Sequence, residues 1–194
     1  MTSEQQLAIN HPAPGFTAKA YDPASDQFVT KSLADYRGKW VVLFFYPADF
    51  TFVCPTELED MAAHYTELQK LNVEVMSIST DSAYAHKAWH DSSDAIRTIK
   101  FPMISDATGE ISRNYTVYVA DTGEALRGTF IINPEGLLKS FEINDNALGR
   151  SSEELMRKIQ ASQFVEQHGD QVCPANWHPG KKTLKPGIDL VNKI

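Results

Sequence analysis

WVVLFFYPADFTFVCPTELEDMAAHYTELQK, residues Trp40–Lys70, reads as a strand, a short loop, and a helix with a cysteine at its mouth. Trp40–Tyr46 is a near-continuous apolar run, the pattern of a strand buried on both faces. Pro55 suits the first helical position, where the missing N–H costs nothing and φ is already set. Glu57 and Glu59 place negative charge in the first turn. Leu58, Met61, Ala62, Tyr65 and Leu68 recur at helical spacing, so a helix is expected over Pro55–Lys70. Cys54 then faces unpaired backbone N–H groups and the positive end of the helix dipole. Both favour thiolate over thiol, and thiolate is the form that attacks. The two glutamates oppose this, so the site asks for an arginine.

Outward from this segment, Phe28–Thr30 is expected as a strand on one side and Val73–Ser79 on the other. A helix starts near Ser82, an N-cap candidate after Asp81. Met103–Ser105 reads as a short strand and Glu110–Tyr115 as a short helix. Arg127–Ile132 and Leu137–Ile143 are strands joined by Asn133-Pro134-Glu135-Gly136, a strong hairpin signal. Ser151 or Ser152 caps a last helix running to about Gln167, with Glu153 and Glu154 in its first turn. The order predicts an α/β fold with a thioredoxin-like mixed sheet flanked by helices. It puts the cysteine at the carboxyl end of a strand, where open α/β sheets place their sites. Beyond Gly169 come Pro174, Pro179, Pro186, Gly180, Gly187 and Lys181, Lys182, Lys185, the composition of an extended arm. The expected division is therefore a domain over 1–168 and a C-terminal arm over 169–194.

Composition sets limits. With 194 residues, 42% of them apolar, the chain can hold one real core plus an appendage. A net charge of −7 and a pI near 5.3 argue against nucleic acid or an anionic membrane as partner. Met1–Gly15 is polar, without the apolar stretch of a secretory signal, and no run approaches the roughly 20 apolar residues of a membrane span. The cytoplasm is the expected compartment. Two cysteines are no disulfide scaffold, so a disulfide here would be transient and catalytic.

A cysteine between Val53 and Pro55 is in many proteins only a small buried hydrophobe. The spacing Pro47-x3-Thr51-x2-Cys54 points elsewhere. Pro47 fixes the loop entry, and the Thr51 hydroxyl can donate to a thiolate and accept from an incoming O–H. Arg127 opens a buried strand, where it is either an ion-paired end residue or the forked donor the thiolate needs. Gly128 next to it permits close approach. Cys173 stands on the arm, a bystander or a second thiol for the first.

Phe44–Glu57 (FFYPADFTFVCPTE) resembles the active-site signature of the typical two-cysteine peroxiredoxins, in particular the bacterial alkyl hydroperoxide reductase C type. The likeness continues through Val75–His90, Leu126–Gly136 and Glu166–Trp177, and so spans essentially the whole chain. The resemblance implies a thioredoxin-like fold and a thiol-dependent peroxidase of antioxidant defence acting on hydrogen peroxide and organic hydroperoxides. It implies that Arg127 occupies the site and that Glu57 and Arg150 orient it. It also implies that Cys173 of a partner subunit resolves the Cys54 sulfenic acid as an intersubunit disulfide. No bound cofactor or metal is expected. Reducing equivalents would come ultimately from NAD(P)H, through a flavoprotein disulfide reductase or thioredoxin. Homodimers, assembled as a ring of five dimers, are implied as well. Peroxide-sensitive relatives carry a Gly-Gly-Leu-Gly motif and a C-terminal Tyr-Phe pair. Neither stands in Ile99–Asp106 or Leu190–Ile194, which implies a robust enzyme.

Two other readings stay open on the residues alone: a holdase or interaction protein on the same fold, and a dithiol–disulfide exchanger. The first does not need Pro47, Thr51 and Arg127, and the second normally pairs its cysteines in Cys-x-x-Cys. His86 and His90 stand four apart, but Lys87 fills the place of a zincin glutamate, so a helical surface position is expected for both. Trp89 is expected near the active-site helix. His168, Cys173 and His178 could in principle bind zinc, but the composition of the arm that carries the last two does not suit a metal site.

Overall fold

The computed structural model describes residues 7–193. The reading of Met1–Gly15 therefore falls partly, and that of Ile194 wholly, outside the described residues. Two compact units are present, divided between Ser151 and Ser152.

The first unit is built on a seven-stranded mixed sheet. Its strands are β1 (Thr17–Asp22), β2 (Gln27–Ser32), β3 (Trp40–Phe45), β4 (Val73–Ser79), β5 (Met103–Ser105), β8 (Arg127–Ile132) and β9 (Leu138–Asn144), in the order β2-β1-β5-β4-β3-β8-β9. A two-stranded ribbon, β6 (Tyr118–Val119) with β7 (Glu124–Ala125), completes the β structure. The helices of this unit are α1 (Cys54–Lys70), α2 (Ala83–Ser92) and α3 (Glu110–Asn114). β3, β4 and β5 run parallel, connected through α1 and α2, and β8 joins β3 antiparallel at Leu43↔Phe130.

The strand period of two sorts β3 into two duties. Val41, Leu43 and Phe45 enter a core with Met76, Ile78, Ile104, Tyr115, Phe130 and Ile132. There Phe45, Tyr115 and Phe130 pack edge-on or tilted, with centroids 4.9–5.5 Å apart. The Tyr115 hydroxyl donates to Pro14 O at 2.7 Å, so this buried phenol is satisfied. Phe44 alternates to the other face, where the Arg150 guanidinium lies over its ring.

The principal elements fall where expected. α1 begins one residue early: Cys54 is itself the first helical residue, and Pro55 the second rather than the first. α2 is capped by Ser82, whose Oγ accepts from Ala85 N at 3.2 Å. β1 was not anticipated, because TAKAYD lacks a clear apolar pattern and sends only Ala20 and Tyr21 inward. It pairs with β2 at Tyr21↔Phe28. Among the described residues, no helix is long and apolar enough to cross a membrane.

The second unit comprises α4 (Ser152–Gln167) and the segment after it. That segment is more organised than its composition suggests. Val172 and Leu184 exchange backbone hydrogen bonds at 2.8 and 3.0 Å. The buried Trp177 ring lies 4.9 Å from Phe164 and donates from Nε1 to Lys181 O at 3.1 Å.

Candidate active site

β3 ends at Phe45, and the chain runs through Tyr46–Val53 into α1. This loop is tied down by a buried network. The Tyr46 hydroxyl donates to Asp49 Oδ1 at 2.7 Å, and burial holds that phenol well above its ordinary pKa, so it remains a donor. His86 Nδ1 lies 2.8 Å from Asp49 Oδ2, and its Nε2 lies 3.1 Å from Ile104 O. Asp49 N–H donates to Asp81 Oδ2 at 2.8 Å. His86 is fully buried and His90 nearly so, which corrects the expected surface placement. The two face inward because α2 packs on β1 and β5, with Asp49 waiting beneath. Trp89, expected near the active-site helix, lies against the loop that leads into it, with its ring 6.2 Å from Tyr46 and 5.9 Å from Phe50.

Pro47 is buried at the loop entry. Thr51 Oγ1 donates its hydrogen to Ala48 O at 2.8 Å, which leaves the oxygen lone pairs as its free function. The expected alternative, donation to the thiolate, is not the arrangement found. Cys54 carries a free thiol, fully buried, with its sulfur at the helix start.

Across from the loop, Arg127 at the head of β8 brings Nη1 to 3.4 Å from Cys54 Sγ. The same nitrogen donates to Glu57 Oε2 at 2.6 Å, and Nε and Nη2 both donate to Asn146 O at 3.0 and 2.9 Å. Of the five guanidinium hydrogens, one on Nη2 has no partner among the described residues. Arg150 closes the far side. Its Nε and Nη2 donate to Glu57 Oε1 and Oε2 at 2.9 and 3.0 Å, and its backbone N–H donates to Oε1 at 2.8 Å. Nη1 reaches Gly128 O and Thr129 Oγ1, and the guanidinium stacks 3.5 Å from the Phe44 ring. Burial lowers the Arg150 pKa, and Glu57 opposes that effect.

The glutamate that seemed to oppose a thiolate is thus neutralised. Two guanidiniums share one carboxylate, the cluster carries a net positive charge, and Arg127 delivers it to the sulfur. Glu59 is solvent-exposed and contributes little. Sequence reasoning missed Asn146 and Phe44. Asn146 acts through its carbonyl, which leaves no residue-type signature, and Phe44 reads as one more apolar strand residue. Cys173 belongs to the second unit, where its Sγ lies 3.9 Å from Ala161 O. Burial raises its pKa, opposed by Arg157. Among the described residues, no group of three or more His, Cys, Asp or Glu side chains could hold a metal ion.

Residues 9–141 match the AhpC/TSA family, and residues 161–192 match the C-terminal domain of 1-Cys peroxiredoxin. The chain belongs to the AhpC/TSA family. It is 51% identical over 186 residues to alkyl hydroperoxide reductase C of Staphylococcus epidermidis, covering 96% of this chain and 98% of that protein. The Staphylococcus aureus protein of the same name is 53% identical over the same coverage. Among solved structures, Enterococcus faecalis AhpC superposes with a TM-score of 0.83 at 51% identity, over 87% of this chain and all of that one. The reduced 2-Cys peroxiredoxin of Plasmodium vivax gives 0.90 at 37% identity, over 95% and 96%. The expected thioredoxin-like fold and peroxiredoxin resemblance are both borne out. As an AhpC/TSA member the chain is a peroxiredoxin, an oxidoreductase acting on peroxides.

Proposed function

We propose that Cys54 is the peroxide-reducing thiolate of this peroxiredoxin and that Arg127 positions and polarises its substrate. The observation that carries the reading is the 3.4 Å approach of Arg127 Nη1 to Cys54 Sγ, with Glu57 and Arg150 fixing the guanidinium from behind. The thiolate attacks one peroxide oxygen in line with the O–O bond. That bond breaks, its electron pair leaves with the distal oxygen, and the sulfur becomes a sulfenic acid. Charge growing on the departing oxygen is met by the free Nη2 hydrogen of Arg127 and by the backbone N–H of Cys54 at the start of α1. Thr51 Oγ1 accepts from the peroxide O–H, and Pro47 shields the sulfur from bulk water. The leaving oxygen takes up a proton, giving water or an alcohol.

Cys173, on the arm over 169–194, then displaces the sulfenic hydroxyl of a partner subunit's peroxidatic cysteine, forming an intersubunit disulfide and water. A dithiol protein reduces that disulfide, either a flavoprotein disulfide reductase drawing on NAD(P)H or thioredoxin. Homodimers assembled into a ring of five, working in the cytoplasm, complete the reading. The exposed Phe50 and Phe52 beside the site offer apolar surface for such assembly. A holdase role on the same fold would have no use for the Arg127–Cys54 approach.

The test adds one equivalent of hydrogen peroxide to the reduced protein and counts thiols by mass. Rapid loss of both thiols per chain is expected. Cys173→Ser should still consume one peroxide per chain and Cys54→Ser none. A Cys173→Ser protein that leaves peroxide untouched would overturn the division of roles.

A further inference from the structure

The direction of the Arg127 guanidinium is set by a single peptide group, and that group is itself held from both ends. Asn146 O accepts from Arg127 Nε and Nη2 together, so one oxygen fixes the whole edge of the guanidinium plane. In a trans peptide the C=O and the following N–H point in opposite directions. The N–H paired with this carbonyl is that of Ala147, and it donates to Asp145 Oδ1 at 2.8 Å. Leu148 N–H donates back to Asp145 O at 3.0 Å. A side-chain oxygen accepting the N–H two residues on forms an Asx turn. Here the turn straddles Asn146. The Asp145 carboxylate therefore holds one end of the peptide plane whose other end aims Arg127. Five residues on, Arg150 grips Glu57, the second anchor of the same guanidinium. The loop 145–150 thus controls both fixings of Arg127, although Asp145 itself is solvent-exposed and belongs to no motif.

We propose that Asp145 is a positioning residue for peroxide reduction, acting through the Asn146–Ala147 peptide on the orientation of Arg127. The inference rests on the reading of Arg127 as the group that acts on Cys54 and the peroxide. It adds to that reading a residue remote from the sulfur. An aspartate has no duty at the reacting atoms here, since a negative charge facing the peroxide would work against attack. Its duty is geometric, and asparagine at the same position keeps the Oδ1 acceptor.

The experiment measures the second-order rate of hydrogen peroxide consumption by Cys54 in single turnover, for the full chain and for Asp145→Ala, Asp145→Asn, Arg127→Ala and the double variant Asp145→Ala/Arg127→Ala. Thermal melts run alongside. Asp145→Ala should slow attack on the order of tenfold, the scale expected from a small misplacement of a catalytic group. Asp145→Asn should restore most of the rate, and the double variant should be no slower than Arg127→Ala alone. If Arg127→Ala keeps the full rate, the underlying reading of Arg127 fails. If Arg127→Ala is slow while Asp145→Ala is not, or slows the Arg127→Ala background equally, Arg127 stands and the proposal falls. An Asp145→Asn rate as low as that of Asp145→Ala would assign the effect to charge, against the proposal. A lowered melting temperature with an unchanged rate would also sink it.

Discussion

Glu57 accepts four hydrogen bonds, one from Arg127 and three from Arg150, so every lone-pair direction of its carboxylate is used. That saturation makes a specific division of effects expected at neighbouring positions. Arg127→Ala removes one of four donors and leaves Glu57 paired with Arg150. The variant should therefore stay folded while peroxide attack slows about 10²-fold or more, the scale of losing one preorganised donor to developing charge. Stopped-flow rates beside urea melts separate the two effects. An unchanged rate would return Arg127 to the role of a strand-end residue. Cys173 makes a second expectation at this scale. Burial raises its pKa, so it is a neutral thiol near pH 7 and its thiolate fraction grows tenfold per pH unit. Disulfide formation in single turnover should keep accelerating past pH 8.5, where an unperturbed thiol would begin to level off. A plateau below that pH would show that ionisation of Cys173 does not limit the step.

Among the elements, β8 and α1 carry the site, and they differ in how openly the sequence announced them. β3, β4 and β8 are buried on both faces, so their apolar runs are visible without tertiary context. β1 is hidden, since TAKAYD lacks a clear apolar pattern, and of the edge strand β2, which buries little, only Phe28–Thr30 is visible in the sequence. The His86 environment was hidden for another reason. What buries a helical histidine is the Asp49 carboxylate on a distant loop, and no periodicity within α2 encodes it. The close packing at Gly128 could be suspected from sequence, though what approaches is not backbone. A Cβ there would meet Val117 Cγ1 at 2.7 Å and the Phe130 ring at 2.8 Å. Gly128→Ala should therefore cost about 1–3 kcal/mol by overpacking. Because the strand head must shift, it should also displace Arg127 and depress the peroxide rate. Urea unfolding with m unchanged, together with single-turnover kinetics, reads both. A stable variant at full rate would mean the strand accommodates a methyl without moving.

On the scale of the whole molecule, the two cysteines fall into separate compact units, and a motif spacing says nothing of which thiol meets which. The Cys54 half of the site was legible because Pro47, Thr51 and Cys54 are close in sequence, and Arg127 because the charge balance demanded a cation. The oxidised protein should run as a covalent dimer on a non-reducing gel and collapse to monomer with dithiothreitol. Oxidised monomer carrying an internal bridge would overturn the intersubunit assignment.

The complete burial of Cys54 at the first position of α1 has a kinetic consequence for such a cycle. Hydrogen peroxide needs far less room to reach such a sulfur than another chain's thiol does. Before a bridge can form, the bonds from Thr56 N–H and Glu57 N–H to Val53 O, at 3.1 and 3.2 Å, must let go. That release is first order and belongs to the protein alone, whereas a second strike by oxidant scales with its concentration. The two outcomes compete from the moment the S–O bond exists. While release is the faster of the two, the fraction of chains retired per cycle rises in direct proportion to ambient peroxide. The slope of that line is the rate constant of the second strike multiplied by the lifetime of one turn of helix.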